Sequence, residues 1–286
     1  MRNAAFQSLA VGFFDGVHLG HQAILKGADA ALTFSNHPLT VLAPEKAPRL
    51  IMSVEERVAA IKACGVGEVT VLDFTPELAE MSAAEFVREH LLVAKGRKGA
   101  QRIRCGENWR FGKGGEGNAE WLRTKGIDVE VAPYVEYKGE RISSSRIRRC
   151  LENGEIEDAN AMMGRRFQVS GFRFQGKGLG GEIGYPTVNL KLETLNLKLP
   201  LGVYEVEVEG QKAIANYGLA PTMGDKAWAR PVMEIHLLGE GAEDVRHETI
   251  DAVSVALVRY IRPERRFETI DDLQRQIAAD CATIAT

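Results

Sequence analysis

The stretch VGFFDGVHLGH, residues 11–21, decides how the first half of this chain folds. A short apolar run enters a glycine-bearing turn, and His18 and His21 follow at a spacing of three residues. If a helix begins after Gly16, both imidazoles lie on one face of its first turn. The free N–H groups and partial positive charge of a helix N-terminus bind phosphate. The stretch therefore predicts an ATP site for nucleotidyl transfer, in which the two imidazoles donate hydrogen bonds to a polyphosphate.

The histidine pair has two other interpretations. A strand–turn–helix junction can use histidines merely to cap or to pack, but the flanking glycines and the apolar run favour phosphate binding over that structural turn. The spacing also suggests zinc. However, no third cysteine, histidine or carboxylate stands at an obvious partner spacing, and helical zinc pairs are usually about four residues apart. We therefore discount metal ligation by these histidines.

The composition indicates a globular chain of about two domains, with 286 residues of which 45% are hydrophobic and 26% charged. A net charge of −3 and a pI near 6.1 argue against nucleic acid as a partner. No apolar run approaches the roughly 20 residues of a membrane span, and residues 1–10 lack a signal-peptide pattern. The cysteines form no CxxC pair, as is typical of reduced cytosolic thiols: Cys64, Cys105, Cys150 and Cys281. We expect a cytoplasmic protein with neither a nucleic-acid nor a membrane partner.

Strand-like and helix-like segments alternate through the first half of the chain. Apolar runs predict strands over residues 8–12, 31–34 and 67–72. Helices are predicted from about Gly20 and after capping boxes that begin at Ser53 and Ser82. The alternation predicts a parallel sheet with helices on both faces, which binds ligands at the carboxyl ends of its strands. The short segment from His21 to Thr33 also predicts a short first helix.

The second half changes character near Arg165, where short strands without intervening helices predict a small β-barrel. In residues 203–209 apolar residues alternate with glutamates, which is typical of an antiparallel strand with one wet face. Further strands are predicted over residues 167–174, 212–217, 232–238 and 253–260. The chain is predicted to end in a helix from about Ile270, with Thr269 as its N-cap. We place the domain boundary after residue 163, so that the domains are residues 1–163 and 164–286.

The run RISSSRIR, residues 141–148, is a second candidate phosphate site. Ser143 or Ser144 can cap a helix, and hydroxyls at that helix end can hold phosphate oxygens. Arg146 or Arg148 can stabilise the charge that develops on leaving pyrophosphate. An N-cap followed by a basic, solvated helix face explains the same residues equally well.

The segment GENWRFGKGG, residues 106–115, combines aromatic rings with a flexible backbone. Trp109 and Phe111 can stack on a planar ring, and Asn108 can hydrogen-bond its edge. The alternative is a mobile loop anchored by its two aromatic side chains, and composition by itself favours that alternative.

Residues 175–189 form the richest stretch of the second half. Its glycine- and lysine-bearing loop can wrap phosphates with backbone N–H groups. Thr187 and Asn189 are hard oxygen donors two residues apart, so in a strand they share a face and can meet a Mg²⁺–phosphate unit. The stretch is not a Walker A loop, and a long glycine-rich hairpin loop is the alternative.

Glu234 and His236 are predicted to lie on one strand face. A carboxylate there can take a proton from a substrate hydroxyl. A solvated strand face is the alternative, and it is favoured for an isolated glutamate.

Taken together and in this order, these segments resemble the prokaryotic bifunctional riboflavin kinase/FAD synthetase family. Each segment is weak alone, whereas their joint order in one chain is specific. The resemblance favours the functional interpretation of the Trp109 loop and of Glu234. The matching segments cover nearly the whole chain: FDGVHLGH at 14–21, residues 33–34 and 37–38, 106–117, 142–148, 184–189, 234–238 and 262–264.

The resemblance implies a Rossmann-like N-terminal nucleotidyltransferase domain that joins FMN to the AMP part of ATP and releases pyrophosphate. The catalytic residues that it implies are His18, His21 and Arg148. The ATP-binding residues that it implies are Gly12, Phe14, Gly16, Ser144 and Arg146. The flavin-binding residues that it implies are Asn36, Asn108, Trp109 and Phe111.

The resemblance also implies that a C-terminal six-stranded barrel phosphorylates the 5′-hydroxyl of riboflavin. Glu234 would be its general base, and Thr187 and Asn189 would hold Mg²⁺ and ATP phosphates. Further phosphate contacts are implied for Gly176, Lys177 and Gly178. ATP, riboflavin, FMN and FAD would be the small-molecule partners. Two alternatives stay open: a riboflavin kinase with a weak or repurposed first domain, and a non-catalytic regulator that binds flavin or nucleotide.

Overall fold

The structure is a computed structural model that describes residues 7–91, 101–174, 181, 183–192, 197–219, 231–239 and 252–284. It divides into two compact units, Met1–Arg146 and Ile147–Thr286. Residues 147–163, which the predicted boundary assigns to the first domain, group here with the second unit. The functional boundary after residue 163 stays a prediction.

The first unit is built on a five-stranded parallel sheet in the order β3-β2-β1-β4-β5, so the predicted parallel sheet is confirmed. Its strands are β1 Ser8–Val11, β2 Ala30–Phe34, β3 Glu68–Leu72, β4 Arg102–Gly106 and β5 Asp128–Ala132. A small hairpin follows, with strands β6 Glu136–Tyr137 and β7 Glu140–Arg141. The helices are α1 Leu19–Leu25, α2 Leu39–Leu42, α3 Val54–Ala63, α4 Pro76–Glu80, α5 Ala83–Phe86 and α6 Ala119–Thr124.

Two hydrophobic cores lie on opposite faces of this sheet, because successive strand residues point to opposite sides. Leu9 and Val11 of β1 belong to one core, and Ala10 between them belongs to the other. Phe86 of α5 packs into the first core and Ile61 of α3 into the second. The helices therefore cover both faces, as the alternation of the sequence predicts.

Local capping places the helix starts where the sequence predicts them. Ser53 and Glu56 form a complete capping box at α3, and Ser82 and Glu85 form another at α5. Helix α1 has only seven residues, which confirms the short first helix expected from the crossover length.

The second unit is a closed antiparallel barrel in the order β10-β11-β12-β9-β8-β13, which confirms the expected six-stranded barrel. Its strands are β8 Phe167–Phe174, β9 Val188–Leu192, β10 Gly202–Val208, β11 Gln211–Leu219, β12 Pro231–Leu237 and β13 Ala252–Pro263. Tyr204, Val206 and Val208 of β10 are buried, as their alternation predicts. Three more helices are α7 Ser144–Asn153, which straddles the division between the units, α8 Ile156–Met163 and the terminal α9 Ile270–Ala282. Within the described residues no helix has both the length and the apolar character to cross a membrane.

Helix α9 packs on the outside of the barrel over a small apolar cluster. Val203 of β10 and Ile214 of β11 meet Ile284 beyond the helix end. A buried carboxylate reinforces this contact, because Asp280 accepts hydrogen bonds from Arg262 of β13 at 2.6 to 3.1 Å. Gln276 donates to the same carboxylate at 2.8 Å. The ion pair therefore joins the last helix to the barrel wall.

Removal of the Asp280 carboxylate should destabilise the barrel strongly. The Asp280→Ala substitution leaves the largely buried Arg262 guanidinium without its anion, and breaking such a pair costs about 3 kcal/mol. The Arg275→Ala control breaks an exposed pair with Asp272 on the same helix and should cost less than about 1 kcal/mol. Chemical denaturation followed by circular dichroism measures both free energies of unfolding. Equal losses in the two variants would contradict the assigned role of Asp280.

Candidate active sites

The turn between β1 and α1 has an unusual backbone. Phe14, Gly16 and Val17 have φ angles of 58°, 81° and 37°, in the left-handed region. That region is unfavourable for a β-branched residue such as valine, so the surroundings must impose it. A Cβ added to Gly12 would lie 2.8 Å from the Phe14 ring, which explains the glycine. Phe14 itself is buried, so only its backbone is placed to meet a phosphate.

The two histidines of this turn lie face to face. Their rings stack with centroids 3.6 Å apart and planes 16° from parallel. His18 is the N-cap of α1, and its Nδ1 accepts the backbone N–H of His21 at 3.2 Å. Because Nδ1 is an acceptor there, the neutral His18 ring carries its proton on Nε2. The predicted placement of the two imidazoles on one face is confirmed.

The environment of His21 favours the neutral ring. Burial lowers the pKa of His21 well below 6.5, and the positive fields of His18, Arg141 and Arg57 lower the same pKa further. The His21 Nδ1 atom is buried and has no hydrogen-bond partner among the described residues. A neutral imidazole has one N–H to donate, so His21 can stabilise developing negative charge without carrying charge itself.

Three hydrogen bonds from distant segments hold the turn. The Asp15 carboxylate accepts the Ile51 N–H at 3.0 and 3.1 Å, and the Asp15 carbonyl accepts the Ser144 hydroxyl at 2.8 Å. The Thr33 hydroxyl donates to the Phe13 carbonyl at 2.8 Å. Ser144, predicted from the sequence as a phosphate ligand, is thus brought to the histidine turn and already bonds to it.

Arg57 is a residue of this region that the sequence reasoning missed. Its guanidinium is fully buried, lies 4.2 Å over the Phe13 ring, and donates to the Phe34 carbonyl at 2.5 Å. Burial lowers the pKa of Arg57. The available signal was helical spacing, since Arg57 stands four residues before the buried Ile61 on α3 and so occupies its inward face.

The arginines of α7 are placed differently from each other. Ser143 caps the helix by accepting the Arg146 N–H at 3.2 Å, as the sequence predicts. The Arg146 guanidinium donates to the carbonyls of Tyr137 and Glu140 at 2.9 Å each, so it ties α7 to the β6–β7 hairpin. Arg148 is half-buried and belongs to the part of α7 that groups with the second unit.

Asn36 joins the carboxyl ends of β2 and β3. Its amide donates to the Phe74 carbonyl at 3.0 Å and accepts the Phe74 N–H at 2.8 Å. A second bond, between Ser35 and Asp73, links the same two strand ends. The Asn36 amide is therefore already hydrogen-bonded on both its nitrogen and its oxygen, beyond the ends of the two strands.

The Trp109 loop presents one aromatic ring rather than two. Phe111 is buried at 6% exposure, stacked under Trp109 with centroids 4.5 Å apart and edge-on to Trp121. It also exchanges two backbone hydrogen bonds with Gly117, at 3.0 and 2.9 Å. The structure thus corrects the expectation that Phe111 is an open stacking surface, because its ring faces are used in the core. Trp109 is half-buried and Asn108 is exposed, so these two remain available.

The second cluster lies on the outer face of the barrel. Asn189 of β9 pairs directly with Glu234 of β12, which pairs in turn with Asn216 of β11. Directly paired residues point to the same side of a sheet, and the neighbours Met233 and Ile235 are buried inside. The three polar side chains therefore form one row across three strands. This register places Glu234 beside Asn189, which the sequence alone does not predict.

The electrostatics of this row suit a proton acceptor. Partial desolvation raises the pKa of Glu234, and the neighbouring Glu264 carboxylate raises it further. Asn216 donates to Glu264 at 3.5 Å, so the amide lies beside both carboxylates. A carboxylate with a raised pKa is a stronger base for a hydroxyl proton than an ordinary glutamate.

Asn189, the strand partner of Glu234, and Thr187, two residues before it, have the donor chemistry of a magnesium–phosphate site. Thr187 and Asn189 offer a hydroxyl and an amide oxygen, which are hard but uncharged ligands, so phosphates of the nucleotide must supply the negative charge. No group of three or more histidine, cysteine or carboxylate side chains converges as a metal site in the described part of the chain. The predicted phosphate contacts Gly176, Lys177 and Gly178 lie outside the described residues.

Comparison with known proteins covers both units. A family model described as FAD synthetase matches residues 2–146, and one described as riboflavin kinase matches residues 163–286. The bifunctional riboflavin kinase/FMN adenylyltransferase of Bacillus subtilis (strain 168) is 31% identical, over 95% of this chain and 89% of its own length. The protein of that description from Escherichia coli (strain K12) is 33% identical, with 95% and 90% covered. A crystal structure described as a macrolide-efflux protein from Streptococcus pneumoniae aligns with a TM-score of 0.85 and 27% identity, over 99% of this chain and 94% of that one.

Proposed function

The chain belongs to the family of bifunctional riboflavin kinase/FMN adenylyltransferases, and from this premise we propose which residues carry each activity. Both reactions use ATP. The kinase transfers a phosphoryl group to riboflavin and forms FMN. The adenylyltransferase joins FMN to AMP, which gives FAD and pyrophosphate. We assign the kinase to residues 164–286 and the adenylyltransferase to residues 1–163.

In the kinase, Glu234 accepts the proton of the riboflavin 5′-hydroxyl as that oxygen attacks the γ-phosphorus of ATP. The bond between the γ-phosphorus and the oxygen that bridges to the β-phosphate breaks, and ADP leaves. Thr187 and Asn189 hold Mg²⁺ and the ATP phosphates beside it, and Gly176, Lys177 and Gly178 wrap the phosphates. Magnesium, when bound, neutralises charge on the phosphoryl oxygens. The direct pairing of Asn189 with Glu234 supports this assignment, because it places the proposed base next to a proposed ligand of the metal and phosphates.

In the adenylyltransferase, the phosphate of FMN is already ionised and needs no general base to attack the α-phosphorus of ATP. The bond between the α-phosphorus and the oxygen that bridges to the β-phosphate breaks. Pyrophosphate then leaves with the negative charge that develops on that oxygen. His18 and His21 donate hydrogen bonds to the polyphosphate, which stabilises that charge. The stacking of the two rings at the end of β1, and the neutral form that burial favours for His21, support this role. The backbone of Gly12, Phe14 and Gly16 lines the same turn.

Other residues of the first domain have supporting roles in this proposal. Ser144 and Arg146 fix the start of α7 against the histidine turn and the hairpin, and Arg148 approaches the leaving pyrophosphate. Trp109 and Asn108 contact the flavin, with Phe111 as the support beneath Trp109. Asn36 borders the flavin from the sheet edge. We further propose that the enzyme acts in the cytoplasm on small molecules, without a nucleic-acid or membrane partner.

The observation that carries the proposal is that each compact unit has its own polar cluster: the stacked imidazoles in one and the Asn189–Glu234 pair in the other. The test is incubation of the purified chain with riboflavin, ATP and Mg²⁺, followed by chromatographic separation of the flavins. We expect FMN and FAD together. FMN alone would support a kinase with a weak or repurposed first domain, and no product would support a non-catalytic binder.

A further inference from the structure

The segment of residues 183–187 leads into β9 and precedes the first strand pairing of β9 with β12. Pro186 has no N–H group, and Gly184 has a φ of 82° in a turn whose N–H bonds the Gly181 carbonyl at 3.3 Å. The pairing of β9 with β12 begins only at Val188. In the part of the chain that the structure describes, side chains of β12 and α9 bond this segment.

His236 supplies the first of these anchors. Its Nδ1 lies 3.0 Å from the Pro186 carbonyl oxygen, and because a carbonyl only accepts, that nitrogen carries the proton. The Tyr185 ring meets the imidazole edge-on with centroids 5.3 Å apart, which restrains its orientation. His236 stands two residues after Glu234 on β12, so one strand face holds both the base and the anchor.

Gln274 supplies the second anchor from another element. Its Nε2 donates to the Ile183 carbonyl at 3.0 Å, from the first half of α9. The other end of α9 is joined to the barrel wall through Asp280 and Arg262. The helix therefore acts as a strut between β13 and the segment that precedes β9.

We propose that His236 and Gln274 are positioning residues of the kinase site, which hold residues 183–187 so that Thr187 and Asn189 meet the metal and phosphates beside Glu234. This inference rests on the kinase roles proposed above for Thr187 and Asn189. Both anchors stand on regular elements and bond backbone carbonyls, so they fix the ligand-bearing segment without touching substrate. Loss of such an outer contact typically costs 10- to 100-fold in metal affinity or activity.

The first test measures the order of the segment without catalysis. Hydrogen–deuterium exchange of the full chain should show the amides of residues 183–192 opening about tenfold more often in His236→Ala and in Gln274→Ala. The matched control is Arg275→Ala, which removes a side chain of the same helix that pairs with Asp272 instead of the segment. Unchanged exchange in both anchor variants, or equal exchange in the control, would overturn the proposal whether or not the kinase assignment is right.

The second test measures the consequence for the site. In riboflavin phosphorylation, His236→Ala and Gln274→Ala should raise the KM for ATP and the half-saturating Mg²⁺ concentration by about 10- to 100-fold, with FAD formation from supplied FMN unchanged. His236→Asn keeps an N–H near the Nδ1 position and should restore most of the loss. Faster exchange together with unaltered KM and Mg²⁺ dependence would overturn the positioning role. Absence of phosphorylation in the unmodified chain would refute the kinase assignment instead.

Discussion

Replacement of Glu234 by glutamine should nearly abolish FMN formation from riboflavin while FAD formation from supplied FMN continues. Glutamine keeps the size of the side chain but cannot accept the hydroxyl proton, and loss of a general base lowers kcat by about 10²- to 10⁴-fold. Initial rates of both reactions, measured on one preparation, provide the test.

A matched substitution controls for the loss of charge on the barrel surface. Glu207 also lies on a strand of the barrel, where it bonds Arg166 away from the proposed row. Glu207→Gln should leave the phosphorylation rate within about twofold of the unmodified chain, since exposed ion pairs contribute little. A Glu234→Gln variant that keeps more than a tenth of its phosphorylation rate would contradict the assignment of the base.

The second large effect is expected at His21. The His21→Ala substitution should reduce FAD formation from FMN by about 10²- to 10³-fold, the usual cost of a donor that stabilises transition-state charge. Riboflavin phosphorylation should stay unchanged, because the proposed kinase residues lie in the other compact unit. The control is His90→Ala, which removes an imidazole of the same unit whose ring packs on Phe86 at 5.2 Å. Equal loss of both reactions in His21→Ala would refute the division of labour.

The pKa of His21 also predicts how stability depends on pH. Burial holds the pKa of His21 below 6.5 in the folded chain, whereas an unfolded histidine has a pKa of about 6.5. Between the lowered pKa and about 6.5 the unfolded chain therefore binds more protons than the folded chain. The free energy of unfolding should therefore rise with pH through that window and fall as the pH drops below 6.5. Denaturation at several pH values should give a flatter slope for His21→Asn. An identical slope in this variant would contradict a His21 that is neutral in the folded chain.

Local chemistry made much of the fold predictable. The capping boxes at Ser53 and Ser82 and the N-cap at Thr269 concern residues within one helical turn, and all three appear as expected. The alternation around Tyr204 identified a strand because burial on one face of a sheet has a period of two. The spacing of His18 and His21 predicted that their rings share a face, because residues three apart lie on one side of a helical turn.

The errors and omissions concern residues whose partners are remote in the sequence. Phe111 has the composition of a stacking ring, yet its faces pack between Trp109, Phe86 and Trp121. Arg57 carries the charge of a typical solvated residue, but it is buried against Phe13 at the end of the sheet. Side-chain type sets what a residue can do, and only the neighbours brought by folding set what it does.

The sequence by itself determined the presence of two compact parts and the classes of secondary structure, because these depend on short-range patterns. It also supplied side chains whose chemistry suits the two proposed sites. Tertiary structure alone decided which of those residues meet. Closure of the barrel brings Asn189, Glu234 and Asn216 into one row, and the anchors on β12 and α9 reach the segment before β9. Such contacts depend on strand register and barrel closure, which pair residues that no local pattern relates.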